Sequence, residues 1–279
     1  MRIFLSAISL GAVTLAALPA IAGVKATTSS TDRRAGNEPV ISALELEGRR
    51  LRMDVQNSGE GRPPMTMLFD GSTGVLVIVN HEEKSITRLD RNTGQAIHDR
   101  MESARKQMRE QLKQLPPDQR AMAEKMLASH LGVAGMDDPK VRPTAAPIQV
   151  RKTGREDSVN GHDCVIFEIV RASGTSAEIC AASWAASGIR EKDLRALEDL
   201  GEFQTRMLEV AGGQGVPAMH HPFDLFRKVE GIPLRTRQKN DDGSWRETVF
   251  TSIENAKIPA ARFEPPTGYT QRPLLPPAP

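Results

Sequence analysis

Aromatic residues make up only 4% of this 279-residue chain, with Tyr269 its single tyrosine. A core must therefore be filled by aliphatic side chains and by the 11 methionines. A surplus of one charge is lacking too. The 37 basic and 35 acidic side chains leave a formal charge of +2, so the basic footprint that nucleic acid demands is absent. Beyond residue 22 no apolar run approaches the roughly 20 residues of a membrane-spanning helix. Catalytic signatures are missing: there is no G-x-S-x-G elbow, H-E-x-x-H, P-loop or G-x-G-x-x-G. The pair His220-His221 has no companion at a zinc-like spacing among His81, His98, His130 and His162. No catalytic residue, metal ligand or cofactor is expected. An enzyme ranks behind two kinds of binding protein.

What is present begins with Arg2, an apolar stretch from Ile3 to Leu18, and Ala20-Ile21-Ala22. These are the n-region, h-region and A-x-A site of a signal peptide, predicting a periplasmic chain that starts at Gly23. Losing Arg2 leaves 36 basic and 35 acidic side chains, a net +1. Residues 23–39 are small and polar and are expected to form a disordered leader. The two cysteines of an exported protein imply one disulfide, Cys164 to Cys180. A loop of that size contributes about 3 kcal/mol in the chain-entropy model.

From residue 40 the chain reads as short strands between turns: Leu44 to Leu46, Leu51 to Val55, Met65 to Phe69, Val75 to Val79 and Ile86 to Leu89. Over residues 95–132 the period changes. Ile97, Met101, Ala104, Met108, Leu112 and Leu115 recur at spacings of three and four, which marks an amphipathic helix. Pro116-Pro117 breaks it, and a second helix follows carrying Met122, Met126, Leu127 and Leu131. Between Gly161 and Ala182 a strand hairpin turns about Ser173-Gly174. Alternation gives it an apolar face (Val165, Phe167, Ile169, Ile179 and Ala181), with Cys164, Glu168, Glu178 and Cys180 on a more polar outside. A third helix is expected over about 188–211, with Leu194, Leu197, Leu200 and Met207 on its buried side. Residues 223–230 should pair with 232–238 about Gly231, and Trp245 to Ile253 forms a strand. The fold class is α+β: a strongly curved antiparallel sheet, an open and incomplete β-barrel, with a helical hairpin and a third helix over the concave face. Residues 40–272 form one domain, followed by a proline-rich tail at 273–279.

The stretches GHDCVIFEI and ICAASW, LPPDQRAMAEKM, and IPLRTRQ…FTSI…IPAARFEPPTGY resemble a group of exported bacterial proteins known only as a domain of unknown function. The resemblance spans most of Leu44 to Tyr269. That group is similar to the LolA/LolB-like lipoprotein carriers, and the resemblance implies their architecture, an incomplete β-barrel with a helical lid over an apolar cavity. It implies no known activity and supplies no binding motif that maps residue by residue.

Candidates for lining such a cavity are Met101, Met108, Met122 and Met126 of the helical insert with Met65, Met67, Phe167 and Ile169 of the strands. Flexible thioethers adapt to ligands of varied shape, although they also fill gaps in an aromatic-poor core. The leading expectation is a non-enzymatic periplasmic protein that holds a lipid or acyl chain between sheet and helices. The alternative is an envelope protein-interaction module, a stress-sensing or assembly factor that binds a protein through the same cleft or a sheet edge. A methionine-lined cavity favours the first; a filled core with an exposed apolar patch favours the second.

Overall fold

The computed structural model describes residues 23–32, 38–56, 63–116, 119–120, 149–171, 174–210, 227–240 and 242–274. Six strands open the chain: β1 (Gly23–Asp32), β2 (Val40–Glu47), β3 (Arg50–Val55), β4 (Met65–Asp70), β5 (Val75–Asn80) and β6 (Ser85–Leu89). Helix α1 (Arg91–Lys113) follows, then β7 (Gln149–Val159), β8 (His162–Arg171) and β9 (Gly174–Ser183). A short helix α2 (Trp184–Ser187) and a 3-10 turn (Glu191–Leu194) lead into α3 (Arg195–Val210). The chain closes with β10 (Gly231–Lys239), β11 (Trp245–Ala256), a 3-10 turn (Ala260–Phe263) and β12 (Thr270–Gln271).

All twelve strands belong to one sheet, in the order β12-β6-β5-β4-β3-β2-β1-β11-β10-β9-β8-β7. Two antiparallel meanders, β1–β6 and β7–β11, therefore meet along the pairing of β1 with β11. Among the described strands only β12 runs parallel to its neighbour, β6. The α+β class expected from patterning is found, but the barrel shape is not. Strands β12 and β7 are unpaired with each other, so the sheet is not closed, and it is not strongly curled. The reason lies in the seam. The meanders lie side by side instead of wrapping a lumen, and their apolar face is filled by α3.

The expected leader is the largest correction, because Gly23–Asp32 is a central strand hydrogen-bonded on both sides. Its low hydropathy hides the alternation of Val24 and Ala26, which are 1% and 4% exposed in the core. The threonines that follow suit a pleated, half-buried surface. Gly23 admits no larger residue, since a Cβ there would lie 2.5 Å from the Leu46 carbonyl oxygen.

The main core joins Val24, Leu46, Leu51 and Phe69 of the first meander to Ile232 and Leu234 of the second, beneath Leu200 and Phe203 of α3. The rings of Phe69 and Phe203 sit 5.5 Å apart in a tilted pair. Cys164 and Cys180 are bonded across β8 and β9, with Cα atoms 5.3 Å apart. They lie inside this core, 4% and 2% exposed, and not on the outside of the sheet as expected. The face looked polar because of Glu168 and Glu178, but those residues sit farther along the strands, clear of the helical cover. The apolar partners Ile169, Ala177, Ile179 and Ala181 form a smaller cluster on the opposite face, capped by Val229. Gly231 is not a turn centre either. It opens β10 opposite Ser183 and is pressed on β9, where a Cβ would lie 2.0 Å from the Ala182 carbonyl oxygen.

Helix α1 begins four residues before the apolar period. Asp90 caps it by accepting from the Thr93 backbone N–H at 2.9 Å, and Thr93 Oγ1 accepts from the Asp90 N–H at 3.2 Å. At the other end Arg120 donates to the carbonyls of Leu112, Lys113 and Leu115 at 3.0, 2.8 and 3.2 Å. The first arm thus ends at Lys113, just ahead of Pro116. The rest of the expected second arm, with Met122 and Met126, lies outside the described residues, as do His220 and His221. Near its start α1 crosses α3 at Gly94, where a Cβ would stand 3.0 Å from Met207 Sδ.

Candidate functional site

Three surfaces carry chemistry, and the expected cavity residues are divided among different parts of the molecule. Met67 packs on the main core from β4, whereas Met65 at the start of that strand is 36% exposed. Phe167 and Ile169 belong to the small cluster on the other face. On α1, Met101 is 41% exposed and Met108 is half-buried. The six described members of the set do not converge on one cavity.

The first surface is the stripe of α1 itself. Ile97, Met101, Ala104, Met108, Leu112 and Leu115 follow the helical period, yet none of them is buried among the described residues. Past its crossing with α3 at Gly94, the apolar side of this helix is half-buried or exposed among the described residues.

The second surface continues the core face along β7–β11, beyond the disulfide. Cross-strand register sets Arg151 opposite Glu168, Glu168 opposite Glu178, and Arg237 opposite both Glu178 and Glu247. Arg151 pairs with Glu168, Arg155 bridges Glu168 and Glu178 at 3.2 and 2.7 Å, and Arg237 pairs with Glu247. Arg235 reaches Asp157 at 2.6 Å. Its guanidinium, aided by the Ser158 backbone N–H, holds the Asp157 carboxyl below the usual range. Arg151 does the same for Glu168. A pocket of about 180 Å³ opens here, lined by Arg155, Asp157, Arg235 and Arg237 above Ile166 and Cys180. Ligand pockets usually run to about 300–1,000 Å³ with mostly apolar walls, so an acyl chain does not fit this one.

The third surface was missed by sequence reasoning. It lies on the reverse face of β2–β6, under the segment after β11. Asp54 accepts both arms of Arg52 at 2.7 and 2.8 Å and the Thr66 hydroxyl at 2.5 Å. Thr66 Oγ1 also lies 2.8 Å from His81 Nε2, and His81 Nδ1 lies 3.1 Å from the Tyr269 phenol oxygen. Thr66, 2% exposed, has a single proton, and the carboxylate takes it. His81 therefore donates through Nε2 and pairs at Nδ1 with the Tyr269 phenol. Burial raises the Asp54 pKa, but the bonds from Arg52 and Thr66 outweigh it and hold the carboxyl below its ordinary value. Arg262 joins the set by binding Glu45 at 2.8 Å and Asp54 at 3.5 Å. The signal that could have found this site is the alternation of Arg52 and Asp54 with Leu51 and Met53, facing a chain end rich in arginine.

Among the described residues no group of three histidine, cysteine, aspartate or glutamate side chains is placed to hold a metal ion. No described helix is long and apolar enough to cross a membrane.

Residues 105–269 match the family described as "Domain of unknown function (DUF4412)", a span that ends on the tyrosine facing His81. No curated protein matches the chain. Among solved structures the chain is similar to MucB, with 11% identity and a TM-score of 0.37, covering 89% of this chain and 59% of that one. It is also similar to a chain of the Pseudomonas aeruginosa MucA/MucB complex, with 12% identity, a TM-score of 0.34 and coverage of 87% and 55%. A LolA superfamily protein from Nitrosomonas europaea gives 8% identity and a TM-score of 0.28, covering 89% and 92%. The chain spans a little over half the length of the MucB chains it matches.

Proposed function

The chain belongs to the DUF4412 family, and we propose that it is an exported, non-enzymatic envelope protein that binds a protein partner. The observation that carries this is the contrast between a filled core and an open helix. Under α3 the sheet is packed with buried aliphatic side chains and the Phe69–Phe203 pair, whereas on the α1 stripe Met101 is exposed and Ile97, Met108, Leu112 and Leu115 are only half-buried among the described residues. An exposed apolar patch beside a filled core is the signature of an interaction surface. Thioethers on that surface can repack against a partner's contours. Export is supported by the A-x-A site ending at Ala22 and by the Cys164–Cys180 bond, since disulfides persist in oxidising compartments. Cleavage there would leave the whole sheet in the mature chain, because β1 starts at Gly23.

A photo-reactive residue at Met101 should cross-link the protein to a polypeptide in its own envelope, and one at the core position Met67 should not. Native mass spectrometry of the purified protein separates this from the carrier alternative. Adducts of acyl-chain mass without any polypeptide adduct would overturn the reading.

A further inference from the structure

Resting on that reading, the inference concerns where an extended segment of the partner docks. After β11 the chain crosses the reverse face of β3 and runs along the outer edge of β6, forming a strap over residues 257–274. Ile258 anchors its start in the interior. Tyr269 also packs on the Leu68, Val77 and Val79 cluster, and the rest of the hold is polar. Arg262 grips Glu45 and Asp54, Phe263 lies 4.7 Å under the Arg50 guanidinium, the Tyr269 phenol pairs with His81 Nδ1, and Arg272 binds Glu83 at 2.8 Å. Two backbone bonds dock it on the edge, from Thr270 N–H to the Lys84 carbonyl at 2.9 Å and from Arg272 N–H to the Ile86 carbonyl at 2.8 Å.

Parallel pairing with slanted bonds is the weaker kind, and here it covers Ser85 and Ile86 alone. No described strand pairs with Thr87–Leu89 on that outer side. Exposed ion pairs such as Arg272–Glu83 contribute little to stability. The floor, in contrast, is selective. Its acids Glu45, Asp54 and Glu83 take guanidinium groups, Asp54 already holding Arg52 of the floor itself, and the His81 ring calls for a hydroxyl partner at the Tyr269 position.

We propose that the β6 edge and this acidic floor are a docking site for an extended segment of a partner protein, bearing a tyrosine with arginines seven residues before and three after it, and that the chain's own strap occupies the site until displaced. This is β-strand exchange at a sheet edge, with main-chain bonds for affinity and side-chain sockets for specificity.

The probe is a fluorescent synthetic peptide of residues 258–272 added to the full chain. In the wild-type protein, excess peptide should remove hydrogen-exchange protection from the Thr270 and Arg272 amides and leave Val77 and Val79 unchanged. The doubly substituted protein Arg262→Ala, Tyr269→Ala should bind the peptide about tenfold more tightly, because its tethered competitor is weakened. A peptide carrying the same two alanines should not bind. Unchanged protection in the wild-type protein at saturating peptide overturns the proposal even if the doubly substituted protein fails to fold, and so does equal binding of the alanine peptide. A concentration-dependent dimer that the peptide dissociates would mean exchange between two copies, which overturns a distinct partner protein. If the peptide fails while cross-linking from Met101 persists, only this docking site falls and the binding function stands.

Discussion

Helix α1 sets Ile97, Met101, Met108 and Leu112 along one side, and helix α3 sets Ala196, Leu200, Phe203 and Met207 along one side in the same rhythm. On α3 the first three are buried, while on α1 none of the four is. Periodicity therefore announces a stripe but not what covers it. The difference comes from anchoring. Arg49, in the turn between β2 and β3, holds the buried Asp199 carboxylate of α3 with a two-pronged bond at 2.7 and 2.9 Å. Asp193, just before α3, accepts the backbone and guanidinium of Arg190 at 3.1 and 2.8 Å. Helix α1 has a good N-cap and a crossing at Gly94, and beyond these nothing described fixes it to the sheet.

The strongest way to sharpen that contrast is Phe203→Ala. Removing a ring that packs on Phe69 leaves a cavity under α3, and about 3–5 kcal/mol of unfolding free energy should be lost in urea titrations. A loss below about 1 kcal/mol would mean that the face under α3 repacks freely, and the filled core could then not be the reason to prefer a binding module.

Gly71→Ala should come next. A Cβ there would stand 2.3 Å from Asp199 Oδ2, so the β4–β5 turn and α3 must separate, at a cost of about 1–3 kcal/mol. In an Asp199→Ala background the carboxylate is gone but the Cβ of residue 199, 2.6 Å away, remains, so the Gly71→Ala penalty should shrink without vanishing, a coupling that a double-mutant cycle reads directly. Simple additivity would show that Asp199 does not set the depth of α3.

These two sites also mark how far sequence reasoning carries. Strands β2–β6, the β8–β9 hairpin and its disulfide partners, and α1 with its end ahead of Pro116 were legible because period, turn residues and cysteine count are local signals. Strand β1 was not: Val24 and Ala26 are only two apolar residues among threonines and serines, and their burial depends on pairing with β11 more than 200 residues away. Which face of the hairpin is inside was also hidden, because that depends on where α3 docks. The Asp54–Thr66–His81–Tyr269 chain spans four separate elements, and no spacing in the sequence reveals such a contact.

Acid should separate the anchors by a smaller amount. Burial raises the Asp193 pKa, but the Arg190 side chain and backbone N–H outweigh it, so the folded value is depressed. A carboxyl of this kind contributes stability that is fully present above its unfolded pKa of about 3.9. That contribution is lost as pH falls through the lower folded value. Urea midpoints should therefore decline below about pH 4, and Asp193→Asn should flatten the decline. Asp90, at the start of α1, is held low by the Thr93 backbone N–H. Asp90→Ala should cost about 1 kcal/mol as an ordinary lost cap. An Asp193→Asn protein with an unaltered acid limb would remove Asp193 from the anchoring of α3.

The smallest stability effect belongs to Met101→Ala, and it is the one that tests what α1 is for. With Met101 41% exposed, truncation leaves no cavity and places a better helix former in the helix. Unfolding free energy should stay within about 0.5 kcal/mol of wild type, as for other surface changes. Met108→Ala, at a half-buried position one helical repeat on, should behave alike. If the stripe is a binding surface, the pair Met101→Ala, Met108→Ala should weaken cross-linking to the envelope partner from a photo-reactive residue at Leu112 while the urea curve stays in place. That split between binding and folding has no counterpart on α3, where every loss of apolar area is paid in stability. Should the double substitution cost several kcal/mol instead, α1 would be packed as α3 is, and the contrast that supports the interaction reading would be gone.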